Sequence, residues 1–202
     1  MLKLEFWFEF ASPYSYLAAV RIGDLGRAAG VEVVWRPFIL GPIFADRGWT
    51  TSPFNLYPDK GQYMWRDVER EAEHQGVPFE RPSIFPVRSV LAARVALLGV
   101  EEGFVEGFAR EAFRAHFVRD EDLGSEEVID STLAAIGLEG STVRARACGP
   151  AMKDKLRESV DRARSLGIFG APSFVVGREL FWGNDRLERA IEFALSQRDV
   201  SG

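Results

Sequence analysis

The chain has 202 residues, 47% of them hydrophobic and 12% aromatic, enough to bury one ordinary core and not several. Its 25 Lys and Arg against 30 Asp and Glu give a formal net charge of −5, which offers no basic field for nucleic-acid phosphates or an anionic membrane. A single cysteine, Cys148, excludes an internal disulfide and a Cys-x-x-Cys pair, and two distant histidines, His74 and His116, leave little for a metal.

Leu4, Phe6, Phe8 and Phe10 alternate with Lys3, Glu5, Trp7 and Glu9, the period of a strand with one strongly apolar face. Ser12-Pro13 suits the cap and first position of a helix whose Leu17, Val20, Leu25 and Ala28 recur at helical spacing until Gly30 stops it. Val31 to Trp35 reads as a second strand, which makes a βαβ unit with a parallel pair. Seven of the ten prolines lie between Arg36 and Val87, so that stretch reads as loop, interrupted by a helix near Gly61 to Gln75. From Val87 the period is helical: Leu91, Val95, Leu98; then Phe104, Phe108, Ala112, Ala115; then Met152, Leu156, Val160, Ala163. Ser173 to Val176, a Gly177-Arg178 turn and Glu179 to Trp182 read as a hairpin, and Leu187, Ala190, Ile191, Ala194 and Leu195 mark a last amphipathic helix. No apolar run approaches ~20 residues, and Glu5 interrupts the first one, so neither a signal peptide nor a membrane span is expected and cytoplasmic residence is the default.

The order βαβ then ββα is the thioredoxin arrangement. The expected fold class is α/β, a thioredoxin-like domain formed by residues 1–45 and 167–202 and split by an inserted helical subdomain, with a proline-rich loop, over 46–166. In that arrangement the first strand-to-helix junction is the reactive corner, because a helix N-terminus presents free N–H groups and the positive end of its dipole. Here the corner reads Ser12-Pro13-Tyr14-Ser15, which cannot exchange disulfides. A serine hydroxyl there can donate to a thiolate brought by a ligand, although Ser-Pro is also a common helix cap. Pro172 falls where such folds place a cis-proline facing the corner; outside that topology it would be an ordinary strand-start proline. Asn184 and Asp185 either cap the last helix or hold the charged ends of a small peptide, roles that can coexist. His116 shares a face with Phe108, Ala109, Ala112 and Phe113 and reads as buried; His74 reads as solvated, and Cys148 as a small buried hydrophobe.

Phe8-Glu9-Phe10-Ala11-Ser12-Pro13-Tyr14-Ser15-Tyr16-Leu17, Gly167-Ile168-Phe169-Gly170-Ala171-Pro172-Ser173-Phe174 and Phe181-Trp182-Gly183-Asn184-Asp185-Arg186-Leu187 together resemble the glutathione-dependent 2-hydroxychromene-2-carboxylate isomerases and the related kappa-class glutathione transferases. The resemblance implies glutathione as cofactor, with Ser12 stabilising its thiolate and Pro13 and Tyr14 lining the same corner. It implies that Ala171, before Pro172, pairs its backbone with the cysteinyl part, and that Trp182, Gly183, Asn184 and Asp185 hold the γ-glutamyl end. Asn55 and Lys60 are the polar candidates for a substrate carboxylate, Lys60 reading equally as a solvated helix-start residue before Gly61-Gln62, and the loop holding them departs from the family: Gly48 is followed by Trp49, not asparagine. The implied activity is isomerisation of an aromatic-degradation intermediate, a small aromatic carboxylate. Kappa-type transferase or peroxidase activity and non-catalytic glutathione binding stand as alternatives. Because relatives are dimers, a homodimer is implied, with no nucleic-acid or membrane partner.

Overall fold

The structure, a computed structural model, describes residues 2–197. Strand β1 (Lys3–Phe8), helix α1 (Pro13–Ala29) and strand β2 (Glu32–Pro37) form the expected βαβ unit, with β1 and β2 parallel from Lys3↔Glu32 to Phe8↔Pro37. Strands β3 (Ser173–Val176) and β4 (Glu179–Trp182) form the hairpin, and β3 runs antiparallel to β1. The sheet order is β2-β1-β3-β4, so the first strand of the chain lies inside, between elements from opposite ends of the sequence. Helix α10 (Leu187–Ser196), entered through a short 3-10 turn at Asn184–Arg186, packs against β3 and α1.

Between β2 and β3 lie α2 (Gly41–Ala45), α3 (Pro53–Leu56), α4 (Pro58–Gln75), α5 (Val90–Glu102), α6 (Val105–Arg119), α7 (Glu126–Ala135), α8 (Gly140–Ala147) and α9 (Pro150–Ser165). Pro42, Pro53 and Pro58 occupy first-turn positions of α2, α3 and α4. Prolines that looked like loop markers thus start helices, where a missing N–H costs nothing. Pro86 and Pro172 are preceded by cis bonds, the second at the position the topology predicts.

Phe6, Phe8 and Phe10 are fully buried and meet Trp35, Phe174, Phe108 and Phe113 ring to ring. The alternate face of β1 is buried as well: Trp7 packs edge-on against Phe38, in a second cluster with Val160, Ala163 and Val175. Helix α9 therefore covers the face that alternation alone leaves polar. His116 is buried, its Nδ1 paired with the Glu121 carbonyl at 3.1 Å, and His74 is exposed, both as expected.

Candidate functional site

Ser12 ends the tight turn out of β1, where its N–H donates to the Glu9 carbonyl at 3.0 Å, and it caps α1. Its Oγ accepts from the Ser15 N–H at 3.1 Å and donates to the Ala171 carbonyl at 2.9 Å. The corner and the cis-proline segment are thus joined by one hydroxyl. The Ala171 N–H makes no hydrogen bond among the described residues, although Ala171 lines the adjoining cavity. A free backbone donor beside a serine hydroxyl at a helix N-terminus suits a peptide carrying a thiolate, and in that respect the residues fit glutathione.

The Gly183 N–H donates to the Pro172 carbonyl at 3.0 Å, and its φ of 113° lies in a region that glycine enters without strain. That turn brings Asn184 and Asp185 to the cavity. Asn184 is buried and its Oδ1 accepts from Arg21 of α1 at 3.0 Å; Asp185 is exposed and pairs with Arg186 at 3.1 Å. Trp182 leans on Phe169 with ring centroids 4.8 Å apart and stands within 2.4 Å of where a Cβ on Gly170 would lie. Tyr14 lines the cavity with its hydroxyl donated to Asp67 at 2.8 Å; burial and that carboxylate push its pKa far above the ordinary phenol value.

The cavity measures about 1350 Å³, more than the roughly 300–1,000 Å³ that holds one small ligand. It gathers Ser12, Pro13, Tyr14, Ala171 and the stretch from Trp182 to Asp185, whereas Pro172 stands behind the lining. Lys60 is part of the wall, its Nζ 4.9 Å from the Tyr57 ring centroid. Asn55 stands outside it: its Nδ2 is donated to Thr51 Oγ1 at 3.3 Å and to the Phe85 carbonyl at 3.4 Å. Cys148 is exposed and lines the cavity, contrary to the reading as a buried hydrophobe, because its neighbours Ala147 and Gly149 do not reveal which way it faces.

Several wall residues were not picked out from the sequence. Glu9 is buried; its carboxylate takes the Leu40 N–H at 2.8 Å and the Ala11 N–H at 3.3 Å, tying the end of β1 to the segment after β2. Burial pushes its pKa up against those bonds. The Arg47 guanidinium lies 5.9 Å from both the Trp49 and Phe169 ring centroids. The wall cations Arg47, Lys60, Arg88 and Arg94 have no carboxylate within ion-pair distance among the described residues. Of its acids, Asp67 meets Tyr14 and Arg70, Glu71 meets Gln75, Asp185 meets the wall residue Arg186, and Glu9 takes backbone N–H groups. With Arg186 the wall holds five cations against four acids, so an acidic protein lines this cavity with a small positive excess. Among the described residues no group of three or more His, Cys, Asp or Glu side chains is placed to hold a metal, and no helix is long and apolar enough to cross a membrane.

The family model for a DSBA-like thioredoxin domain matches residues 3–192. The 2-hydroxychromene-2-carboxylate isomerase of Sphingobium xenophagum is 29% identical over 186 residues, 92% of this chain and 94% of the relative. The rat protein glutathione S-transferase kappa 1 is 26% identical over 199 residues, 92% of this chain and 87% of its own. A solved 2-hydroxychromene-2-carboxylate isomerase superposes with a TM-score of 0.87 at 22% identity, over the full length of both chains.

Proposed function

The chain belongs to the DSBA-like thioredoxin-domain family, and on that premise we propose that it is a glutathione-dependent isomerase of the 2-hydroxychromene-2-carboxylate type. The observation that carries this reading is the Ser12 hydroxyl at the N-terminus of α1, directed at Ala171 across a corner that holds no cysteine. Glutathione held by these residues would supply a thiolate nucleophile for reversible addition to an unsaturated carbon of the substrate. Ser12 turns its hydroxyl proton from the Ala171 carbonyl to the sulfur. A hydrogen bond to a charged group contributes about 1.5–3 kcal/mol and a helix N-terminus about 0.3–1 kcal/mol. At about 1.36 kcal/mol per pKa unit, the two together bring a thiol of pKa about 8.5 to about neutrality.

The Ala171 backbone orients the cysteinyl part, and Trp182, Gly183, Asn184 and Asp185 receive the γ-glutamyl end, with Pro13, Tyr14 and Pro172 shaping the corner. Lys60, in the first turn of α4, supplies positive charge on the wall, and Asn55 of α3 braces that helix against Thr51 and the Phe85 carbonyl. The apolar side chains of Phe44, Trp49, Phe54 and Met64 keep water from the reacting carbons. The 26% identical relative named as a kappa transferase favours a second reading, in which glutathione is consumed by an electrophile or a peroxide.

Titration calorimetry with reduced glutathione, paired with thiolate absorbance across pH, tests the corner. Saturable binding with a lowered thiol pKa is expected, and no binding at millimolar glutathione overturns both enzyme readings. Spectral conversion of a chromene carboxylate without loss of glutathione selects the isomerase; stoichiometric loss selects the transferase.

A further inference from the structure

Between Val90 and Val100, helix α5 carries one charged residue, Arg94. It is half-buried on the cavity wall; its Nε is closed off from solvent with no partner, and its guanidinium makes no hydrogen bond to any described residue. Holding such a group in an apolar helix without an acceptor is unfavourable, and an anion arriving through the cavity relieves it. Arg88, one residue before the N-cap Ser89, lines the same cavity and is exposed and unpaired. The nearby Asp122 accepts the Gly124 N–H at 2.8 Å and makes no ion pair with Arg88. The first turn of α5 has no side-chain cap, its N-cap residue Ser89 being itself in the helical region at φ −98°, so its free N–H groups add to the positive field. Around the two arginines the wall is apolar: Phe54, Phe85, Val87, Val90 and Leu91.

We infer that Arg88 and Arg94 form the carboxylate-holding pair for an aromatic second ligand, and so determine which substrates the cavity accepts. Calling that ligand the substrate rests on the proposed function. The guanidinium fork matches a carboxylate in two-point geometry, and the apolar wall takes the ring. Arg94 belongs to α5 and Arg88 to the segment just before it, whereas the thiol corner is built from α1 and the segments flanking β3 and β4, and the cavity has volume for two ligands. A neutral electrophile would leave both arginines without an acceptor.

Calorimetry with 2-naphthoate and 2-naphthamide, ligands of the same shape with and without the charge, tests the inference. The acid is expected to bind at least about tenfold more tightly, a difference of about 1.4 kcal/mol. Arg94→Gln and Arg88→Gln should each remove most of that ratio while leaving glutathione affinity within about twofold, because neither residue belongs to the thiol corner. Arg94→Lys, which keeps the charge and loses the fork, should retain part of the ratio and serves where the glutamine variant does not fold. Equal binding of acid and amide by the unaltered protein, or an unchanged ratio in the folded variants, overturns the inference. Glutathione failing to bind while the naphthoate ratio stands removes the proposed function and leaves the anion site.

Discussion

The Ser12 hydroxyl donates to the carbonyl oxygen of Ala171 over 2.9 Å, bridging 159 positions of sequence. Both ends of that bond face the cavity. In the absence of ligand the hydroxyl proton is thus held by a neutral acceptor, and a thiolate, a charged acceptor, competes for it with advantage. On the proposed function, one rotation about the Ser12 side chain would convert a structural contact into a contact with sulfur.

Ser12→Ala should lower turnover by about 10–100-fold, the equivalent of a hydrogen bond to a charged group, while weakening glutathione binding by no more than about threefold. Steady-state isomerisation beside calorimetry separates the two. Equal losses in both would place the hydroxyl's contribution in binding the ligand as a whole.

Gly170→Ala puts a methyl group 2.4 Å from the indole nitrogen of Trp182. The indole must leave Phe169, and the wall proposed to receive the γ-glutamyl end shifts with it. The expected result is a red-shifted tryptophan emission and glutathione affinity reduced by about tenfold, on the order of 1–2 kcal/mol of lost complementarity. An unchanged emission spectrum together with unchanged affinity would show that Trp182 does not shape that end of the site.

Glu9→Ala leaves the N–H groups of Leu40 and Ala11 without their acceptor. Urea unfolding should show a loss of about 2–4 kcal/mol, because buried donors stripped of a partner cost more than the bond contributed. Glu9→Gln, which keeps an acceptor oxygen, should lose less. Equal stability of the alanine variant and the parent would mean that water replaces the carboxylate at no cost.

Burial holds the His116 pKa below its ordinary 6.5, against the smaller pull of the Glu121 carbonyl. The unfolded chain takes up a proton near 6.5 while the folded chain resists it, so this residue leaves stability unchanged above that pH and lowers it as pH falls below. The slope for one such group is at most about 1.4 kcal/mol per pH unit. Unfolding free energies at pH 7.5 and 5.5 should fall more for the parent than for His116→Gln. Parallel declines would assign the acid sensitivity to other groups.

Local chemistry made the ends of the chain legible. Ser12-Pro13 and Gly30 bound α1, and Gly177-Arg178 separates two strands of four residues each. Periodicity spoke less clearly where burial depends on distant partners. Glu9 falls on the polar side of the alternation of β1 and is buried because α5 and the segment after β2 close over it; Trp7 shares that side and is covered by α9. Helices α7 and α8 went unread, since ten and eight residues leave few turns in which a period can show. Arg94 carried a readable signal, a lone charge in an apolar helix, whereas Arg47 and Arg88 sit in irregular segments whose direction only the fold decides.

The interior position of β1 also orders events in time. Its β2 partner leaves the ribosome directly after α1, but the other edge of β1 waits for β3, and Pro37 and Ser173 are separated by all of α2–α9. At about 5–20 residues per second that delay is on the order of ten seconds. Throughout it the N–H and C=O groups of Glu5, Phe6 and Trp7 on that side lack their strand partner, a template for pairing with a neighbouring nascent chain. Helix α6, made well before β3, brings Phe108 and Phe113 onto Phe8 and Phe10 and shields the apolar face during the interval. The cavity walls meet only when β3 and β4 arrive, after α2–α9 have been made.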